Sequence, residues 1–541
     1  MKILLTALLA ATPLAAATPA FSPDRVKAHV AFLADDLLEG RGTGTRGHEV
    51  AAAYVAAQFA AFGLTPGAKD GSWYQQVRLQ EQKPGATPAQ LVLTGPNGVK
   101  TYAQGSDVLV GVSRRDAATD VEGEVVFAGY GLDAPAQGFD DYAGLDVRGK
   151  IVAILSGAPA DRPDEIAAHL QNRNVKAAAA AARGAIGLIN LPTAASERRS
   201  GAWAKSVTSS AIPSMTYLGA DGLANDAAPS LKANATFNRA AADTLFAGSP
   251  QAFAAIYAEA GTPKARPKGF ALPTRVRITA TAAFRTVTSP NVIGVLPGSD
   301  PKLKAEVVVL MGHLDHLGIG PEIKGDRIYN GALDNAAGVA TMLEVARAFA
   351  AGPAPKRTLM FVANTAEEKG LLGAEALAND PPVPIGNIAA VVDLDQPMLL
   401  YDFNDVIAFG GDHSTMGEAI ARAVAKAGVK VAPDPMPEQA IFTRSDHYTF
   451  VKRGVPALLL ATGHGNGGKA AWDNYLGTDY HQPSDDMKLP IDWAAGAKYA
   501  KVNYLIAKEL ADAPTRPRWY TGDYFGATFA PGAPTIPRKG R

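Results

Sequence analysis

The run Val307-Val308-Val309-Leu310, followed almost at once by Gly312-His313-Leu314-Asp315-His316, decides the fold. An unbroken aliphatic run of that length reads as a strand buried on both faces, and such strands belong to parallel sheets covered by helices. The chain beyond it keeps the same rhythm. Ala336 to Phe349 is an amphipathic helix pattern, Thr358 to Val362 the next strand, Gly370 to Ala378 a helix and Ile388 to Leu394 a strand. Ser414 to Ala427 then reads as a helix, Ala457 to Leu460 as a strand, and Ile491 to Leu510 as a closing helix. Alternation of this kind specifies an α/β domain, a mostly parallel sheet with helices on both faces, over 286–512.

Polar residues collect just past these strands, on the edge where open α/β sheets bind ligands. They lie in His313-Leu314-Asp315-His316, Leu333-Asp334-Asn335, Glu367-Glu368-Lys369-Gly370, Val392-Asp393-Leu394-Asp395 and Tyr480-His481-Gln482-Pro483. Two histidines and three carboxylates are enough for a pair of divalent ions. Asp334 is the candidate bridge, since one carboxylate spans ions roughly 3.5–4 Å apart. His313 and Asp395 would complete one position, Glu368 and His481 the other. With no cysteine in the chain, mixed nitrogen and oxygen ligation suits zinc, two ions per chain, and also tolerates cobalt or manganese.

The neighbouring residues have roles in the same chemistry. Asp315 is placed to accept the second ring N–H of His313, Glu367 to act as general base, and Tyr480 to donate to an oxyanion. Each has an ordinary reading when taken alone. Glu367 and Glu368 could be charges at a helix N-terminus, Asp334 a helix cap, and Asp393 and Asp395 an edge-protecting pair. Their common location favours the metal reading.

The rest of the chain divides by texture. At 541 residues it exceeds what one core supports, roughly 250–300 residues. Residues 1–20 read as an export signal: Met1-Lys2, an apolar stretch Ile3 to Ala17, and the small residues Ala15-Ala16-Ala17. The signal predicts a periplasmic or secreted bacterial protein with no transmembrane segment after its removal. Residues 21–107 form an N-terminal helical segment, with helical spacing from Asp24 to Gly63. Residues 108–273 form a mixed α+β insert, and 513–541 a Pro- and Gly-rich tail.

Lysine plus arginine equal aspartate plus glutamate, 52 each, so no net field draws nucleic acid. Gly42 to Gly47 fits GxGxxG but follows a helical pattern, which excludes a dinucleotide loop. No GxSxG elbow occurs, which excludes a serine hydrolase of the α/β type.

The run from Asn291 to about Leu510 resembles the catalytic domain of the co-catalytic two-zinc aminopeptidases, of the aminopeptidase S and aminopeptidase Y kind. The resemblance rests on His313-Leu314-Asp315-His316, Gly331 to Gly338, Glu367-Glu368, Asp395, Tyr480-His481, and Ser445-Asp446-His447. Leu38-Glu39-Gly40-Arg41 also belongs to it. The insert resembles a protease-associated domain through Asp146 to Val152 and Arg183 to Gly187. The resemblance implies a phosphorylase/hydrolase-like fold and a metallo-exopeptidase acting on peptides, with free-amine recognition near one ion. It departs at Asp393, where such enzymes often carry asparagine, and at an extra loop from Ile319 to Asn330. A carboxypeptidase or dipeptidase, a glutaminyl cyclase-like transferase and a non-catalytic receptor-like protein remain the alternative readings.

Overall fold

The computed structural model describes residues 19–161 and 164–538, so nearly all of the expected export signal lies outside the described residues. Two sheets share one long strand. In the first, the strands Thr358–Asn364, Val307–His313, Ile388–Asp393 and Ala457–Thr462 run parallel, in that spatial order. Antiparallel neighbours flank them, the end of Phe270–Leu296 beside Thr358–Asn364 and Asp405–Phe409 beside Ala457–Thr462. Every residue of Val307–His313 is buried, as an apolar run inside a covered parallel sheet requires.

Helices pack around this sheet. Ala337–Ala350 has twelve buried residues and packs against Trp493–Asp512, which also meets Pro23–Leu33 and Met416–Ala425. The N-terminal helices Pro23–Leu33 and Arg46–Phe62 contribute Val26, Val30, Val55 and Phe59 to the same core. Arg46–Phe62 starts at Thr45, whose side chain accepts from the His48 N–H, and stops at Gly63 in the left-handed region. No described helix is long and apolar enough to cross a membrane.

The second sheet joins Ala118–Phe127, Ile151–Leu155, Gly187–Leu191 and Ala233–Phe237 in parallel. Gln90–Gly95 and Gly98–Ala103 extend its other side beyond Phe270–Leu296. Two expectations therefore change. Residues 21–107 are helical only as far as Phe62, and strands follow from Thr65. The alternation through Val77, Leu79, Leu91 and Leu93, buried between exposed or half-exposed neighbours, is the period-two pattern of half-covered strands. Phe270–Leu296 crosses the expected gap between insert and catalytic domain, pairing with Ala118–Phe127 at one end and Thr358–Asn364 at the other. Its middle, from Ala282 to Thr288, hid it, because no residue there is buried and apolar and polar residues do not alternate.

The helix Glu165–Leu170 of the second sheet's domain docks onto the first. His413 lies 2.5 Å from Glu165 and 2.6 Å from Asp523, and Tyr448 hydrogen-bonds His169 at 2.6 Å. Burial alone would lower the His413 pKa, but these two carboxylates outweigh it and raise the pKa to about 9. His413 thus ties together the second sheet's domain, the first sheet's domain and the C-terminal tail. The tail is less extended than its composition implies: Tyr524–Phe529 is a short helix that buries Phe525 in the main core.

Candidate metal centre

His313 is the last residue of Val307–His313, and Glu367 and Asp395 follow their strands by three and two residues. Asp334 sits in a tight turn, Ala332–Ala336, before the helix Ala337–Ala350. Gly331 enters that turn with φ 60°. A Cβ there would lie 2.1 Å from the Asp334 carbonyl oxygen and 2.6 Å from the His316 ring, so only glycine fits.

All five expected ligands converge. His313 Nε2 lies 3.0 Å from Asp395 Oδ1 and 3.1 Å from Asp334 Oδ1. His481 Nε2 lies 3.2 Å from Asp334 Oδ2 and 3.3 Å from Glu368 Oε2. Asp334 therefore turns one oxygen to each histidine, the division a bridging carboxylate needs. Separations of 3.0–3.3 Å are a few tenths of an ångström shorter than the edge, about 3.3–3.6 Å, of a tetrahedron whose ligands stand about 2.0–2.2 Å from zinc, so a small outward shift of these side chains admits the ions. The donor set fits two such ions.

Electrostatics agree with the geometry. Burial would raise the Asp334 pKa, but His313 and His481 outweigh it and hold the group well below the usual carboxylate range. Burial would lower the His313 pKa, yet Asp395, Glu367 and Asp334 push it well above the usual value. For Glu367, burial and the nearby carboxylates Asp395, Asp446 and Glu368 raise the pKa well above normal, against the opposing effect of His313. Tyr480 stacks on His481 with ring centroids 3.9 Å apart. Burial raises its pKa too, so the phenol keeps its proton.

Asp315 acts differently from expectation. His313 Nδ1 meets the backbone carbonyl of Asp315 at 3.0 Å, whereas the carboxylate stands 4.0 Å away. One carboxylate oxygen instead accepts the Glu367 backbone N–H at 3.0 Å, and the other the Thr43 hydroxyl at 2.9 Å. The side chain is spent on holding the loop that carries Glu367, which leaves the carbonyl to fix the histidine.

Several residues with no expected role support the centre. Ser445 Oγ sits 2.7 Å from Asp395 Oδ2 and 2.8 Å from Asp393 Oδ2. Asn335 donates to the Leu394 carbonyl and accepts from the Gly338 and Gln396 N–H groups. Ala366, Gln396 and His481 adopt φ values of 57°, 49° and 57°. Left-handed non-glycine backbone beside Glu367, at the residue after Asp395 and at His481 itself is the local strain that functional sites retain. His316, quoted in the motif but given no role, is fully buried with Nδ1 2.8 Å from Glu368 Oε1. Its signal was present in the sequence, a second histidine three residues after the first.

Residues 291–507 match the profile of "Peptidase family M28". A "probable zinc metalloprotease" of Pyrenophora teres f. teres is 40% identical over 111 residues, covering 20% of this chain and 23% of that one. "Aminopeptidase YwaD" of Bacillus subtilis is 36% identical over 92 residues, covering 17% and 18%. The chain thus aligns with about a quarter or less of the length of these curated relatives. Among solved structures, an aminopeptidase from Aneurinibacillus sp. strain AM-1 aligns with TM-score 0.49 and 20% identity, over 92% of this chain and 95% of that one. BSAP, a zinc aminopeptidase from Bacillus subtilis, aligns with TM-score 0.44 and 16% identity, over 92% and 96%.

Proposed function

We propose that this chain, whose residues 291–507 belong to peptidase family M28, is a zinc-dependent aminopeptidase that removes N-terminal residues from peptides. The observation carrying this reading is the Asp334 carboxylate, one oxygen 3.1 Å from His313 and the other 3.2 Å from His481. His313, Asp334 and Asp395 would hold one zinc ion, and Asp334, Glu368 and His481 a second. When bound, such ions supply Lewis-acid polarisation and ease the ionisation of water.

The protein groups divide the remaining work. Glu367, raised in proton affinity by burial and neighbouring carboxylates, takes the proton of the attacking water and returns it to the leaving amine. Asp315 holds the Glu367 backbone in register. Tyr480 keeps its phenolic proton and donates it in a hydrogen bond to the developing oxyanion. Recognition of a substrate's free α-amine near one ion, which the family resemblance implies, would account for action from the N-terminus. The same reading takes residues 1–20 as an export signal to the periplasm or exterior, and 108–273 as a protease-associated insert.

The test is hydrolysis of an aminoacyl anilide before and after dialysis against a chelator, with zinc counted per chain. The reading expects two ions bound, activity lost on their removal and regained on zinc addition. Full activity in the dialysed protein would overturn it.

A further inference from the structure

The imidazole of His316 is fully buried, and neither ring nitrogen has a hydrogen-bond partner. Glu368 Oε1, 2.8 Å from Nδ1, is also without one. A buried nitrogen and a buried carboxylate oxygen at that separation would ordinarily be joined by a proton aligned between them. Here they are close but misaligned, as two atoms are when both point at a third. The ring lies on the side-chain-free face of Gly331, where a Cβ would come within 2.6 Å of its Cγ, and the His316 backbone N–H donates to the Arg41 carbonyl at 3.3 Å.

Nδ1 or Nε2 of His316 also lies within 4.8 Å of ligand atoms of Asp334 and Glu368. We propose that His316 is a sixth metal ligand, so that the position shared by Asp334, Glu368 and His481 is held by two imidazoles. This inference rests on the two-ion reading above and makes the centre asymmetric. One position has His313 with two carboxylates; the other has His316 and His481 with two carboxylates. Added imidazole favours zinc, copper or nickel over manganese or magnesium. The position with His316 is therefore the tighter and more zinc-selective of the two. The His313 position, with one imidazole, accepts manganese more readily.

The test compares the wild-type chain with His316→Ala, titrated with zinc against a chromophoric chelator, with side-chain ¹H–¹⁵N spectra of the histidines recorded ion-free and loaded. The expected result is two ions in the wild type and one dissociation constant weakened by about 10-fold or more in the variant, the other unchanged. One His316 nitrogen resonance should move to the metal-bound range on loading. Equal zinc binding by His316→Ala, or a His316 resonance unmoved by zinc in a wild type that binds two ions, would overturn this inference and leave the two-ion reading intact. Failure of the wild type to take up zinc would overturn both. Should His316→Ala not fold, His316→Gln keeps a polar side chain of similar reach, and the wild-type resonance decides alone.

Discussion

Arg41 and Asp485 grip opposite sides of the turn that presents Asp334. The Arg41 guanidinium donates to the carbonyls of Asn330 at 2.6 Å, Gly331 at 3.0 Å and Leu314 at 2.8 Å, and also to that of Leu33. Asp485 accepts the Leu333 and Asp334 N–H groups at 2.9 and 3.0 Å, and the Tyr475 hydroxyl at 2.9 Å. Its own carbonyl accepts the Ala332 N–H. Every residue from 330 to 334 is thus pinned through its backbone, and both side chains are buried. Asp485→Asn puts an amide N–H against one of those donors. The expected result is zinc bound about 10–100-fold more weakly, measured by chelator competition, with the far-ultraviolet circular dichroism spectrum unchanged.

Glu367→Gln separates proton transfer from metal binding. The carboxylate is not among the expected ligands, so zinc content should stay at the wild-type level. Removing the general base should lower kcat by about 10²–10⁴-fold, with KM little changed. A variant as active as the wild type would remove Glu367 from the mechanism.

Ser445→Ala tests the link between Asp393 and Asp395. One hydroxyl stands between two carboxylate oxygens, at 2.8 and 2.7 Å. Without it Asp395 loses an orienting contact, and the like charges lose the dipole between them. Zinc affinity at the His313 position should fall by about 10-fold, measured by the same competition.

The His413 clasp makes the docking of the insert pH-dependent. Its folded pKa, raised to about 9, exceeds the unfolded value near 6.5. Its contribution is therefore complete below about pH 6.5 and is lost as pH rises through about 9. The rise from about 6.5 to about 9 corresponds to at most about 3.4 kcal/mol. The thermal midpoint should fall between pH 6.5 and 9.5, and His413→Gln should flatten that part of the profile. An identical profile in the variant would show that the clasp contributes nothing.

The catalytic sheet was legible because its strands are buried on both faces and so read as unbroken aliphatic runs, Val307–His313 above all. The positions of His313, Glu368 and Asp395 were legible because parallel strands deliver the residues at and just past their C-termini to one edge, whereas Asp334 and His481 come from turns beside helices. Contacts between distant segments left no local pattern. Arg41 stands in the sequence only as the end of Leu38-Glu39-Gly40-Arg41, a stretch of the resemblance with no stated role, and the folded chain brings it to Asn330 and Gly331. Asp315 shows a finer limit: spacing located the residue that orients His313, but not that its carbonyl does so while its carboxylate holds Glu367. His316 was passed over because five residues already filled the ligand places. The loop from Ile319 to Asn330 contains a hairpin, Gly318–Ile323 with Asp326–Tyr329, too short and polar to announce itself.

The most direct test of the central claim is mass spectrometry of the products from one unstructured peptide, free and N-acetylated, incubated with the zinc-loaded protein. An aminopeptidase produces a ladder shortened stepwise from the N-terminus of the free peptide and leaves the acetylated one intact. Trimming from the C-terminus, or equal cleavage of both peptides, would contradict it.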